Sequence, residues 1–219
     1  MNKKFVISLI GAPASGKGYI AACLARELEE KYHFSKEDIA DISIGELIRR
    51  EKKAQTPLGL ELAANMKEGG LAPDAIVNKM LTETLHRTKA RVLILDGYPR
   101  TVGQVRTFDK LMQGFPSAVI FRDTPTSLIL ERVKNRRICA CCGRAQEVSN
   151  KICVYCGGSL VKRKDDEVLP ERLAEYEQMT KPAVLELKKE GNHFFFYDGK
   201  TEGDEIAQSF LAANEQYLR

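Results

Sequence analysis

A glycine-rich segment near the start of the chain has the residue types and spacing of a phosphate-binding loop. Residues 11–17, with the sequence Gly-Ala-Pro-Ala-Ser-Gly-Lys, fit the pattern G-x-x-x-x-G-K. In this pattern the backbone N–H groups surround phosphates, and the lysine reaches the β- and γ-phosphate oxygens. The pattern has this meaning only between a strand and a helix. Residues 5–10 form a short apolar run, and Ile20, Leu24 and Leu28 recur at helical spacing. The sequence therefore predicts a nucleotide phosphate site at the N-terminus of a helix.

The position after the lysine departs from the general pattern. A serine or threonine is expected there as a metal ligand, but this chain has Gly18 followed by Tyr19. Metal binding must therefore be arranged differently. Asp96 follows the apolar run 92–95, where an acid of the Walker B type contacts Mg²⁺ or its waters. We expect Asp96 to hold Mg²⁺ through water.

The cysteines indicate a metal site. Five of the six lie between positions 139 and 156, and they include two C-x-x-C pairs separated by ten residues. Four thiolates in this arrangement suit tetrahedral zinc, and a site closed by four protein ligands is structural. Cys141 is a spare thiol, whereas Cys23 lies on the first predicted helix and reads as a small core residue. The four predicted zinc ligands are Cys139, Cys142, Cys153 and Cys156.

Length and composition are those of a globular domain. The chain has 219 residues, of which 43% are hydrophobic and 29% charged, and a net charge of +4. This mild positive charge suits an anionic substrate and does not by itself indicate nucleic acid. The apolar run 5–10 is too short for a signal peptide, and no stretch approaches the roughly 18 apolar residues of a membrane span. Clustered cysteines with metal spacing indicate a reducing compartment. We expect a cytoplasmic protein that binds neither membrane nor nucleic acid.

Apolar runs alternate with helical periodicity along the chain. Helical patterns begin near positions 17, 45, 57, 73, 101, 124 and 206, and a long helical region is kinked near Pro182. This alternation predicts an α/β fold, a doubly wound parallel five-stranded sheet with helices on both faces and ligands at the carboxyl ends of the strands. The predicted strands are 5–10, 40–43, 92–95, 118–121 and 193–197.

Several segments together resemble the adenylate kinase family of nucleoside monophosphate kinases, and the resemblance covers nearly the whole chain. Residues 42–49, Ile-Ser-Ile-Gly-Glu-Leu-Ile-Arg, are similar to the family's I-S-T-G-(D/E)-x-x-R segment. Residues 95–100, Leu-Asp-Gly-Tyr-Pro-Arg, are similar to its L-D-G-(F/Y)-P-R segment. The resemblance implies reversible, Mg²⁺-dependent transfer of the γ-phosphoryl group of ATP to AMP by a monomer.

The resemblance also implies roles for individual residues. The implied ATP-binding residues are Gly11, Ala12, Pro13, Ala14, Ser15, Gly16, Lys17, Gly18, Tyr19 and Arg132. The implied AMP-binding residues are Ile44, Arg49, Ala72, Gly97, Arg100, Gln104, Arg163 and Arg172. The implied catalytic residues are Lys17, Arg100, Arg136, Arg163 and Arg172.

The implied domain organisation is a core with two insertions. The core would comprise residues 1–42, 73–136 and 167–219. A helical insertion for the monophosphate would span 43–72, and a zinc-ribbon lid 137–166. Arg132 and Arg136 are four residues apart, which predicts that they share one helix face. The neighbouring Arg137 would then point away into solvent.

Two positions depart from the family's pattern and leave alternatives open. Tyr19 and Ile44 both stand where the family has threonine. Isoleucine cannot hydrogen-bond a base, so a UMP/CMP kinase or a broader nucleoside monophosphate kinase is the nearest alternative, whereas Gln104 favours AMP. A further alternative is a zinc-ribbon protein that binds nucleic acid on an inactive kinase fold.

Overall fold

The computed structural model describes residues 4–66, 70–141, 145–154, 156–163, 166–189 and 193–219. The strands are β1 (Phe5–Gly11), β2 (Ile39–Ser43), β3 (Val92–Asp96), β4 (Ser117–Asp123), β5 (Arg136–Cys139), β6 (Ala145–Glu147), β7 (Leu160–Val161) and β8 (His193–Asp198). The α-helices are α1 (Lys17–Glu30), α2 (Ile44–Ala54), α3 (Pro57–Asn65), α4 (Asp74–Arg87), α5 (Val102–Leu111), α6 (Thr126–Asn135), α7 (Leu169–Glu175), α8 (Lys181–Lys189) and α9 (Gly203–Ala213).

Five strands form one sheet in the order β2-β3-β1-β4-β8, and all neighbouring pairs are parallel. Helices connect these strands, so the predicted α/β class with a parallel five-stranded sheet is confirmed. The three central strands, β1, β3 and β4, are short, mostly apolar and buried, as strands with both faces covered are, whereas the edge strands β2 and β8 are partly exposed. In this topology the carboxyl ends of β1 and β3 lie side by side, because Leu9 pairs with Asp96.

The two faces of the sheet bury two hydrophobic clusters. Side chains alternate along β1: Val6 and Ile10 face one cluster, and Ile7 and Leu9 face the other. The first cluster is covered by α4, α5 and α8, and the second by α1 and α9. The predicted apolar face of α1 is confirmed, since its leucines at positions 24 and 28 are fully buried.

The predicted kink near Pro182 takes the form of a π-helical turn. Residues Tyr176–Thr180 widen the helix between α7 and α8, and the N–H of Lys181 donates to the carbonyl of Tyr176, five residues earlier. Proline cannot donate to the preceding turn and its ring crowds that turn, so one wider turn relieves both conflicts.

Residues beyond α6 form a small antiparallel sheet in the order β6-β5-β7. Helix α6 ends at Asn135, so Arg136 is the first residue of β5 and not the last residue of the helix. The prediction that Arg132 and Arg136 share a helix face is therefore wrong. Arg137 also differs from the prediction, because it is half-buried and its Nη1 donates to the carbonyl of Arg136 at 2.8 Å.

In the described ranges, none of the helices has the length and apolar character needed to cross a bilayer.

Candidate active site

A cavity of about 680 Å³ opens at the carboxyl ends of β1 and β3. This is where ligands bind in open parallel sheets. The glycine-rich loop, the start of α2, the segment after β3 and helix α7 all contribute to its walls. The predicted site residues that line it are Gly11, Pro13, Ala14, Lys17, Gly18, Ile44, Arg49, Ala72, Asp96, Gly97, Arg100, Gln104, Arg136, Arg163 and Arg172.

The loop between β1 and α1 has the conformation of an anion site. Ala14 (φ 59°) and Gly16 (φ 96°) are both in the left-handed region, which turns successive N–H groups toward a common centre. Gly16 is the N-cap of α1 and has no side chain to accept from the first N–H groups of the helix. These donors are therefore available to a ligand on the positive end of the helix dipole.

Lys17 is held inside the loop. Its Nζ donates to the carbonyls of Gly11 at 2.9 Å and Ala12 at 2.8 Å. Burial lowers the pKa of Lys17 to about 7; the nearby Asp96 carboxylate raises it, but the arginines around the cavity lower it further. A phosphate in the loop would add negative charge beside Lys17 and favour its ammonium form.

The cavity is strongly electropositive. Among the described residues that line it, seven are basic and three acidic. Arg100 is central: its Nε donates to the carbonyl of Gly97 at 2.7 Å, and burial lowers the pKa of its guanidinium, as do the charges of Arg163 and Arg49. These clustered positive charges repel one another, and a bound polyanion such as a nucleotide polyphosphate would relieve the repulsion.

Asp96 provides a carboxylate at the end of β3. Its Oδ1 is buried and has no hydrogen-bond partner among the residues that the structure describes. A buried carboxylate oxygen without a donor is unusual, because desolvation is then uncompensated. Carboxylate oxygens and waters are what Mg²⁺ prefers, so this atom fits the predicted role.

Gln104 is buried, and its amide orientation is fixed by two partners. The Oε1 accepts from the backbone N–H of Arg100 at 2.8 Å, and the Nε2 donates to Asp74 Oδ1 at 2.8 Å. Asp74 is fixed in turn by Thr101, whose Oγ1 donates to Asp74 Oδ2 at 2.6 Å. If the amide flipped, its NH₂ group would face the N–H of Arg100 and its carbonyl oxygen would face the carboxylate of Asp74, so both hydrogen bonds would be lost. Sequence reasoning identified Gln104 but missed Asp74.

The cysteine cluster is a candidate metal centre. The Sγ atoms of Cys139, Cys153 and Cys156 all lie within 4.8 Å of one another. The N–H of Cys141 donates to Cys139 Sγ at 3.4 Å, and a hydrogen bond of this kind would orient and stabilise a metal-bound thiolate. Three converging soft ligands fit zinc. The fourth predicted ligand, Cys142, lies outside the described residues.

Some predicted ATP-binding residues lie beside the cavity and not in its wall. These are Ala12, Ser15, Gly16, Tyr19 and Arg132. Arg132 donates to the carbonyls of Ser15 at 2.9 Å and Gly199 at 2.7 Å. Tyr19 is 49% exposed, and its ring packs against Gly203.

The structure adds cavity residues that sequence reasoning missed. They include Lys52 on α2, Glu167 and Glu175 around α7, and Tyr176 and Thr180 in the π-helical turn. Helical periodicity marks one face of α7 as inward but does not say what it faces, so the sequence holds no signal for these contacts.

The chain is similar to proteins named adenylate kinase. A sequence model of the family described as Adenylate kinase matches residues 9–192. The adenylate kinase of Clostridium tetani (strain Massachusetts / E88) is 35% identical over 215 residues, which is 93% of this chain and 95% of that protein. The adenylate kinase of Thermosipho melanesiensis is 32% identical over 217 residues, 94% of this chain and 97% of that protein. That of Methanocella arvoryzae is also 32% identical over 217 residues, 94% and 96% respectively.

Proposed function

Because the chain belongs to the adenylate kinase family, it is a nucleoside monophosphate kinase, and we propose that its cavity transfers the γ-phosphoryl group of ATP to AMP, giving two ADP. The observation that carries this proposal is the meeting of a phosphate loop, a buried carboxylate and an arginine cluster in one cavity. Phosphoryl transfer needs positioning and charge stabilisation more than a covalent catalyst. This site offers both.

The donor nucleotide would bind at the glycine-rich loop. Backbone N–H groups of the loop and of the first turn of α1 would hold its phosphates, and Lys17 would leave the loop carbonyls for the β- and γ-phosphate oxygens. Mg²⁺ bound with ATP would neutralise part of the phosphate charge, and Asp96 would hold it through water. Arg132 would steady the loop through its bond to the carbonyl of Ser15.

The acceptor phosphate would bind on the opposite wall, at Arg49 and Arg100. Arg49 lies on α2, where its guanidinium contacts Glu46, and Arg100 follows β3. Arginine presents two parallel N–H groups to a phosphate, which lysine cannot do. Arg163 and Arg172 reach the cavity from the lid side and from α7, so they would contact the group in transfer. The proposal includes the two insertions 43–72 and 137–166 closing over the substrates.

The proposal also includes a zinc ion on the C-x-x-C pairs and a cytoplasmic, monomeric protein. Thiolates that hold zinc require a reducing compartment. The role of the metal would be structural, because a site filled by four cysteines leaves no position for water.

Acceptor choice is the first testable consequence. The fixed amide of Gln104 donates with Nε2 and accepts with Oε1, which complements the ring nitrogen and amino group of adenine or cytosine. Uracil and guanine present a ring N–H and a carbonyl. To pair with them the Gln104 amide would have to flip, and it would then lose its hydrogen bonds to the N–H of Arg100 and to Asp74 Oδ1. Unmet hydrogen bonds cost about 1–3 kcal/mol each. We therefore expect kcat/KM for AMP to exceed that for UMP and GMP by roughly 10- to 100-fold.

Steady-state assays with ATP and each of AMP, CMP, UMP and GMP measure this. Ile44→Thr should lower the KM for AMP, because a hydroxyl replaces an apolar side chain that lines the cavity. Faster turnover of UMP or CMP than of AMP would contradict the assignment of AMP as acceptor. Absence of turnover with every acceptor would contradict kinase function.

The lowered pKa of Lys17 gives a second prediction. At pH 8 a lysine with a pKa of about 7 is mostly neutral in the empty site. Adjacent phosphates favour the ammonium form and raise this pKa, so ATP binding at pH 8 should take up close to one proton. Calorimetric titrations in two buffers of different ionisation enthalpy count these protons. Lys17→Arg is the matched control, because arginine stays charged at pH 8; equal proton uptake by both proteins would refute the prediction.

A further inference from the structure

Arg122 is a buried charged residue inside the parallel sheet. It is the last but one residue of β4, where the preceding four residues are apolar, and it is 3% exposed. Its register partner on β1 is Gly11, the first residue of the glycine-rich loop. Arginine is almost never fully buried unless its charge is paired. Arg122 does not line the cavity, and the mechanism above does not use it.

The guanidinium of Arg122 joins two segments that are distant in sequence. Its Nη2 donates to the carbonyl of Gly199 at 2.9 Å and to that of Thr201 at 2.6 Å. Its Nη1 lies behind the loop, only 2.8 Å from where a Cβ on Gly16 would stand. Residues 198–201 form a tight turn, closed by the N–H of Thr201 donating to the carbonyl of Asp198 at 3.1 Å.

A second arginine bonds both to this turn and to the phosphate loop. Arg132 donates to the carbonyl of Gly199, which it shares with Arg122, and its other nitrogen donates to the carbonyl of Ser15 within the loop. Arg132 thus links the phosphate loop to the 198–201 turn by hydrogen bonds, while the neighbouring guanidinium of Arg122 bonds to the turn and packs behind Gly16. Both donate hydrogen bonds to backbone carbonyl oxygens in the described part of the chain.

This arrangement is electrostatically costly without an anion. Burial lowers the pKa of Arg122 and the charge of Arg132 lowers it further, while Glu202 and Asp198 offset part of this. The Nε of Arg122 is buried and has no partner among the described residues. The hydrogen bonds of Arg122 are to neutral carbonyl groups, which compensate only part of the cost of burying a charge. A polyphosphate bound on the other side of the loop would supply negative charge that offsets this cost.

We propose that Arg122 is a positioning residue for the donor nucleotide. It fixes the 198–201 turn against the phosphate loop, and its charge behind Gly16 adds to the attraction of the loop for phosphates. This inference rests on the proposed binding of ATP at the loop. Arg49 and Arg100 on the acceptor wall take no part in these contacts. Arg122 should therefore affect the binding of ATP and not the binding of AMP.

Arg122→Met and Arg122→Lys test the proposal, with Arg106→Met on the exposed face of α5 as the matched control. Methionine keeps part of the volume but removes the charge and the donors, so the KM for ATP should rise about tenfold. Lysine keeps the charge but donates from a single nitrogen, so the KM for ATP should rise about threefold. The KM for AMP should stay within twofold in both variants, and Arg106→Met should change neither.

An unchanged KM for ATP in both variants would overturn the proposal. An equal rise for ATP and AMP would also overturn it, because Arg122 would then support the whole site and not the donor. If Arg122→Met does not fold, as judged by circular dichroism, the lysine variant decides by the same comparison. Failure of the wild-type protein to phosphorylate AMP would count against the proposed function itself, separately from Arg122.

Discussion

Replacing Arg136 with alanine is expected to lower turnover with ATP and AMP by at least about a hundredfold, while the melting temperature falls by a few degrees at most. Arg136 lines the cavity at the junction between α6 and the small sheet, where it forms an ion pair with Asp166. A cation on a phosphoryl group in transfer is worth about 10³–10⁵ in rate. A cation on a solvated surface contributes almost nothing. Steady-state turnover together with a thermal melt measures both quantities.

Two further variants separate catalysis from structure. Lys134→Ala, in the exposed last turn of α6, is the matched control for removing a nearby positive charge. Asp166→Asn removes the charge of the partner but leaves Arg136 in place, so its turnover should stay within about fivefold of the wild type. If Asp166→Asn lowered turnover as much as Arg136→Ala, turnover would depend on the ion pair and not on the positive charge of Arg136 in the cavity. Small, equal effects of all three substitutions would mean that the basic run is only a charged surface.

The parts of the fold that the sequence predicts are those that local pattern determines. The strand at 92–95 is a run of four apolar residues, and α1 shows its apolar face directly. The strand was predicted within one residue of its observed bounds, and α1 was predicted to begin where it does. The glycine-rich loop was predicted because it needs only backbone N–H groups and left-handed residues at fixed offsets.

The end of α6 was predicted wrongly because a long-range contact determines it. The residues Asn135, Arg136 and Arg137 contain no glycine or proline to end a helix. The helix ends there because β5 pairs with β6 and β7, and the carbonyl of Asn135 accepts from the N–H of Val148 at 2.8 Å. Helical periodicity says nothing of a competing strand partner that comes later in the chain.

The missed residues at the site have the same explanation. Asp74 fixes Gln104 across a separation of 30 residues, and Arg122 contacts Gly199 across 77. Neither contact belongs to a short motif. One signal was present for Arg122: a charged residue ends an otherwise apolar strand. In a parallel sheet such a residue stands at the ligand end, where buried polar groups serve function.

Removing zinc is expected to unfold the region of the small sheet and leave the parallel sheet folded. Among the described residues between 137 and 163, the buried side chains are those of Cys139, Gln146 and Cys153, while Ile152 and Val154 are 59% and 68% exposed. The described part of this region therefore shows no hydrophobic core that could hold it without metal. Structural zinc contributes roughly 10–16 kcal/mol of apparent binding free energy in small peptides.

Hydrogen exchange with and without a chelator measures the loss of zinc, and elemental analysis counts the metal. Exchange should become fast at the N–H groups of the small sheet, such as that of Ala140, which donates to Ser159, and stay slow in β1. Cys153→Ser should lose the zinc, because its Sγ belongs to the cluster. Cys141→Ser should keep it, because the exposed Cys141 contributes a backbone N–H and not a ligand. Loss of zinc from Cys141→Ser would make Cys141 and not Cys142 the fourth ligand, and far less than one zinc per chain after growth with zinc would refute the metal site.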